Sequence, residues 1–159
     1  MREAEVGEAL RKRGLTLATA ESCTGGLVGH RITNISGSSD YYKGGITAYA
    51  NDVKTEILHV AREIVEEKGA VSAECAKAMA NGVRTLLDTD IGISTTGIAG
   101  PTGGTPEKPV GLVYIAVATK DYVYHKKHIF HGDREGNKRE AADAALELLI
   151  RYLSSLQGR

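Results

Sequence analysis

The sequence predicts an α/β fold: a three-layer α/β/α arrangement around a mixed, mainly parallel central sheet. Three observations carry that reading. Short apolar, β-favouring runs alternate with helix-like runs along most of the chain, the pattern of a layered fold with a parallel sheet. The glycine- and proline-rich stretch from Gly97 to Pro109 leads into a strand with no helix before it. That strand and the next are joined tightly at Lys120-Asp121, as in a hairpin. At 159 residues, with no internal repeat, low-complexity tract or linker, residues 1–159 are expected to be a single domain with a substantial core.

Residues 2–13 read as a helix closed by Arg11-Lys12-Arg13 and Gly14, since cations suit the negative helix end and glycine the left-handed cap. Leu15–Ala20 is short, apolar and β-favouring, and is expected to be a buried strand. After Glu21 and Ser22, the residues Thr24, Gly25 and Gly26 lead into Leu27, Val28 and Ile32 at helical spacing. This second helix is expected from Thr24 to about Ile35, where Ser36-Gly37-Ser38-Ser39 breaks it. Gly45–Ala50 reads as the second strand. Asn51 is placed as the N-cap of a short helix carrying Val53, Ile57 and Leu58, and another short helix over 62–68 stops at Gly69. Ser72 caps a longer helix whose apolar stripe is Ala76, Met79, Ala80, Val83, Leu86 and Leu87. Asp88-Thr89-Asp90 ends it, and Ile91–Thr96 is the third strand. Val110–Thr119 and Tyr122–His131 are the hairpin strands. The last helix starts near Asp133 and runs to about Leu156, with Ala141, Ala145, Leu148, Leu149, Tyr152 and Leu156 facing inward.

Strand direction yields a functional expectation. If the first three strands are parallel, their C-terminal ends share one edge, and Ser22, Tyr49 and the Gly97 loop all follow such ends. The fourth strand then runs back and the fifth forward again, which delivers Asp133 and Arg134 to the same edge. Four segments distant in sequence converge where open α/β sheets bind ligands.

Composition narrows the function classes. Twenty Lys and Arg balance twenty Asp and Glu, which argues against nonspecific nucleic-acid binding. No apolar run approaches the ~20 residues needed to span a bilayer, and the charged Met-Arg-Glu-Ala-Glu start carries no signal-peptide core. Two cysteines, Cys23 and Cys75, make neither a disulfide framework nor a zinc site. A soluble cytoplasmic domain with no metal and no cofactor is expected, with no nucleic-acid or membrane partner, as a homo-oligomer.

The turn from Thr16 to Gly26 carries the chemistry. Small residues between a strand and a helix leave backbone N–H groups at a positive helix end, able to hold an anion or to flank a nucleophile with oxyanion donors. A tight connection chosen only for close packing is the alternative. Ser22 needs a base. The five histidines lie on strands and helices with no metal-site spacing. Lys54 stands early in the helix after Asn51, where a positive helix end disfavours an ammonium, though burial and neighbouring Arg would have to provide most of the shift a lysine base needs; Tyr49 just before it is placed to relay a proton. A solvated helix lysine is the other reading of Lys54. Arg134, Lys138 and Arg139 crowd the start of the last helix, where cations oppose the dipole, so an anionic partner would explain them. Glu135 and Glu140 offer one, a phosphate another. Thr24-Gly25-Gly26 lacks the spaced Gly-Lys-Ser/Thr of the nucleoside-triphosphatase phosphate loop, and Glu-Ser-Cys is not the glycine-flanked serine elbow of α/β-hydrolases.

Taken together, Ala20–Gly26 (Ala-Glu-Ser-Cys-Thr-Gly-Gly), Ala48–Asn51 with Lys54, Gly69–Ser72, Gly97–Gly104, Lys108–Gly111 and Gly132–Arg134 resemble the C-terminal domain of the competence-damage-inducible protein CinA. The resemblance covers nearly the whole chain. It implies hydrolysis of nicotinamide mononucleotide to nicotinic acid mononucleotide and ammonia, in pyridine-nucleotide recycling, by stand-alone members of the family. It places the nucleophile at Ser22, the tyrosine and lysine of the base system at Tyr49 and Lys54, and a basic substrate-binding residue at Arg139 with Arg134 close by. Ala50 stands where the family often has Ser. Met1 falls within the amidase-like unit, so activities of the upstream domain of two-domain relatives are not carried over. The implied mechanism has N–H groups at Cys23, Thr24, Gly25 and Gly26 stabilise the oxyanion. Thr24, the loop of Gly97, Ala99 and Gly100, and the two arginines hold ribose and phosphate. A nucleotide-binding module without catalysis, sensing a ligand at the same edge, is the alternative from another class.

Overall fold

The computed structural model describes residues 1–156, so the last three residues of the expected 1–159 span lie outside the described residues. Its strands are β1 (Leu17–Glu21), β2 (Tyr42–Thr47), β3 (Ile91–Gly97), β4 (Leu112–Ala118) and β5 (Val123–Ile129), joined in one sheet in the order β2-β1-β3-β4-β5. β1 pairs in parallel with both β2 and β3, whereas β4 runs antiparallel to β3 and to β5. Four strands therefore point one way, as expected, although only two of the four pairings are parallel because the reversed strand β4 lies inside the sheet.

The helices are α1 (Arg2–Arg13), α2 (Leu27–Thr33), α3 (Asn51–Glu56), α4 (Arg62–Glu67), α5 (Ala73–Leu86) and α6 (Arg134–Ser155), with a short 3-10 turn at Ser38–Asp40. α1, α2 and α6 close one face of the sheet around Leu10, Val28, Ile93, Ile115 and Leu149. On the other face α5 packs Met79 and Val83 against Ala18 and Ala20 of β1, and Ala76 and Ala80 against Ala116 and Ala118 of β4. β1 is buried along its whole length, as befits a strand between two others and under helices on both sides.

Several boundaries move, each for a local reason. α2 starts at Leu27 rather than Thr24, because Gly25 and Gly26 adopt φ of 61° and 103°. β2 occupies Tyr42–Thr47 rather than Gly45–Ala50. Gly45 leaves no room for a side chain, since a Cβ there would strike the Thr19 hydroxyl of the neighbouring strand. Tyr49 consequently lies beyond the strand, not at its end. Asn51 is the first residue of α3, the N-cap being Ala50 without a side-chain bond. Ser72 does cap α5, accepting from Cys75 N, and Asp133 caps α6, accepting from Gly136 N. Leu86, expected on the buried stripe of α5, is 44% exposed at its last turn.

Candidate active site

Ser22 follows the last residue of β1, and its N–H donates to the Thr95 carbonyl of β3 at 3.0 Å. This holds the serine over the C-terminal ends of the two central strands. Beneath it runs a buried hydrogen-bond chain. A carboxylate only accepts, and a hydroxyl has one hydrogen to give. Thr24 Oγ1 therefore donates to Glu21 Oε1 at 2.6 Å and receives from Thr95 Oγ1 at 2.7 Å. Glu21 also accepts the Val28 N–H at 2.8 Å and the Gly29 N–H at 3.0 Å. The protein's own carboxylate thus occupies the start of α2. That corrects one expectation, for this helix end is filled and is not open to a substrate anion. The Gly25 N–H is also committed, donating to the Ser22 carbonyl at 3.1 Å. Of the turn's residues after Ser22, Cys23 lines the cleft, and its N–H is the candidate oxyanion donor.

Ser22, Cys23, Tyr49, Lys54, Arg134 and the Gly97–Gly100 segment line one cleft of about 280 Å³ at this sheet edge. Lys54 is 2% exposed, and its Nζ donates to the Tyr49 carbonyl at 3.1 Å. Burial pushes its pKa below the ordinary lysine value, against the opposing pull of the Cys75 and Cys23 thiols. Burial was expected to supply most of the shift, together with neighbouring Arg, and burial is the cause found; the helix end adds nothing, since Lys54 sits in the last turn of a six-residue helix. The Cys23 thiol is pushed up to about 12, chiefly by burial.

Tyr49 is 61% exposed at the mouth of the cleft. Its hydroxyl accepts from Arg134 Nη2 at 3.1 Å, while Arg134 Nη1 donates to the Gly100 carbonyl at 2.7 Å. Arg134 therefore spans from the segment after β2 to the loop after β3. Tyr49 reaches Lys54 through its backbone carbonyl, and its hydroxyl faces Arg134. Arg139 lies elsewhere. It lines a separate groove with Phe130 and His131, with its guanidinium 4.0 Å from the Glu135 carboxylate. Thr24 is buried under the turn with its hydroxyl committed, so it does not line the cleft. Ala99, at the base of the glycine-rich loop, gives its carbonyl to Asn137 Nδ2 at 3.0 Å.

A family model described as the CinA C-terminal domain matches residues 1–153. The chain belongs to the CinA C-terminal domain family. It is 54% identical over 152 residues to a "CinA-like protein" of Salinibacter ruber, covering 96% of this chain and 37% of that protein. The chain thus spans little more than a third of that curated relative. Its fold is similar to the crystal structure of competence damage-inducible protein A (ComA) from Klebsiella pneumoniae, with a TM-score of 0.94 and 34% identity over 98% of this chain and 97% of that one. It is also similar to that of the competence/damage inducible protein CihA from Agrobacterium tumefaciens, with a TM-score of 0.87 and 37% identity over 94% of this chain and 96% of that one.

In this CinA domain the structure brings to the site residues that the sequence did not assign to it. Lys138 Nζ lies 3.6 Å from the point where a Cβ of Gly25 would stand, which puts a second cation beside the Ser22 turn. Arg134 and Lys138 are four apart and share a helix face, whereas Arg139 is five from Arg134 and turned away. Glu21, read only as a polar residue before the serine, organises the whole turn. Asn51 and Thr102 also line the cleft. None of the five histidines does. No helix among the described residues is long and apolar enough to cross a membrane.

Proposed function

We propose that this CinA domain hydrolyses the carboxamide of nicotinamide mononucleotide to nicotinic acid mononucleotide and ammonia, as a cytoplasmic amidohydrolase of pyridine-nucleotide recycling. The observation that carries the reading is that Ser22 and a lysine biased by burial toward its neutral amine open on one cleft. A general base must be unprotonated at working pH, and burial is the physical means of making a lysine so. In this reading neutral Lys54 takes the Ser22 Oγ proton as Oγ attacks the carboxamide carbon. The Cys23 N–H of the Ser22 turn stabilises the oxyanion. Lys54 returns its proton to the departing nitrogen, ammonia leaves, and water hydrolyses the ester with Lys54 again as base. Tyr49 accepts from Arg134, so its own hydrogen is available for donation into the cleft. Glu21 fills the start of α2, so the substrate phosphate belongs at the cleft wall that carries Arg134.

Ammonia release from nicotinamide mononucleotide tests this directly. Wild type should release one ammonia per nicotinic acid mononucleotide formed, and Ser22→Ala none. Binding of the mononucleotide without ammonia release would leave a sensing module and end the amidase reading.

A further inference from the structure

Asn137 is the buried polar residue of α6, at 1% exposure. Both ends of its amide are in use. Oδ1 accepts the Gly132 N–H at 2.9 Å, and Nδ2 donates to the Ala99 carbonyl at 3.0 Å. The two partners fix the amide's orientation, since a backbone N–H must meet the oxygen and a carbonyl the nitrogen. One side chain thereby joins the turn entering α6 to the loop leaving β3. Arg134, three residues earlier on the same helix face, donates to the very next carbonyl, that of Gly100. Beyond it the chain is exposed from Pro101 to Glu107, while Thr102 and Gly103 form part of the cleft wall. Farther on, Thr105 bonds to Lys108, whose Nζ ties the loop back to the Lys68 carbonyl. On the α6 side the glycine-rich wall thus hangs from two consecutive carbonyls, one held by Asn137 and the other by Arg134.

We propose that Asn137 is a positioning residue for substrate binding: it fixes the first turn of the glycine-rich wall, and through the adjacent Gly100 carbonyl it fixes the aim of Arg134. The choice of nicotinamide mononucleotide as ligand rests on the amidase reading; the clamp itself does not. The Asn137→Asp variant isolates the donor. Its carboxylate still accepts from Gly132 but has no hydrogen for Ala99 and sets negative charge against that carbonyl. When protonated, it matches the amide in shape and regains a donor. Burial favours that neutral form and raises the carboxyl's pKa.

The test uses wild type, Asn137→Asp and Asn137→Ala. Hydrogen–deuterium exchange at one neutral pH should show residues 98–104 opening about tenfold more readily in both variants, the low end for a lost buried hydrogen bond, with β1 and α5 unchanged. In steady-state ammonia release at pH 8, KM should rise about tenfold while kcat stays within about twofold. The ratio of Asn137→Asp to wild-type KM should shrink toward one as pH falls to 5.5, and the Asn137→Ala ratio should not. Unchanged exchange in the loop, loosening spread over the whole domain, or a fall in kcat with KM constant overturns the proposal. If wild type releases no ammonia, the amidase reading fails alone. Loop exchange then still decides the clamp, and calorimetric Kd for the mononucleotide replaces KM.

Discussion

Replacing Arg134 by alanine should separate phosphate recognition from amide chemistry. A guanidinium carries five N–H donors. In this structure one goes to the Gly100 carbonyl at 2.7 Å and one to the Tyr49 hydroxyl at 3.1 Å. Those two bonds hold the plane across the cleft mouth and leave three donors for a ligand. A charge-assisted hydrogen bond to phosphate is worth ~1.5–3 kcal/mol, so Arg134→Ala should lower kcat/KM for nicotinamide mononucleotide by about 13- to 160-fold. Nicotinamide riboside has no phosphate and should lose less than about threefold, the remainder reflecting a freed Tyr49 and Gly100 loop. Arg139→Ala is the control. Its guanidinium is exposed and lies 4.0 Å from Glu135, an i,i+4 contact of the kind worth a few tenths of a kcal/mol, so both substrates should stay within about twofold of wild type. The assay is ammonia release by the three proteins on the two substrates. If Arg134→Ala affects both substrates equally, or Arg139→Ala is the variant that collapses the preference, the phosphate is not bound at the cleft mouth.

Cys23→Ala should keep most of the activity that Ser22→Ala abolishes, because a thiol pushed up to about 12 stays protonated at neutral pH; the reverse pattern in the same assay makes Cys23 the nucleophile. Lys54→Ala should lower kcat at least ~10²-fold, and Lys54→Arg should not restore it, since guanidinium does not give up its proton. An active Lys54→Arg enzyme would reduce Lys54 to an electrostatic anchor. Burial lowers the Lys54 pKa, so between that value and the ordinary ~10.4 the unfolded chain holds more protons than the folded one, and wild-type stability contributed here rises with pH. Lys54→Met should therefore stabilise the domain most near pH 6 and progressively less toward pH 10 in urea titrations, and a pH-independent difference would contradict the neutral-amine reading. Arg31 grips the buried Glu3 carboxylate with two nitrogens, at 2.9 and 3.1 Å. Arg31→Met should cost ~3 kcal/mol by urea unfolding, and adding Glu3→Gln should recover much of it.

How much of this was legible in the sequence depends on whether a feature is fixed locally. β1 and β3 announce themselves as apolar runs, and the direction of every strand follows from its connections. The meeting of Ser22, Tyr49, the Gly97 loop and Arg134 at one edge was therefore readable before any coordinates. Features set by phase or by tertiary burial were not. A helix advances about 100° per residue, so the one-residue step from Lys138 to Arg139 decides which cation faces the Ser22 turn. The Glu135–Arg139 spacing was the only local hint. That Lys54 would need burial followed from the size of the shift a lysine base requires, but the residues that bury it come from elsewhere in the chain and are not written in its neighbours. Glu21 shows the difference most sharply. In the sequence it is only a polar residue before Ser22, yet in the structure its oxygens are taken by Thr24, Val28 and Gly29. That capping has a consequence for orientation. With the start of α2 already holding a negative charge, a substrate phosphate there would meet repulsion instead of free N–H groups. On the proposed amidase reading the phosphate is therefore expected at the α6 wall with Arg134, with the carboxamide directed toward Ser22.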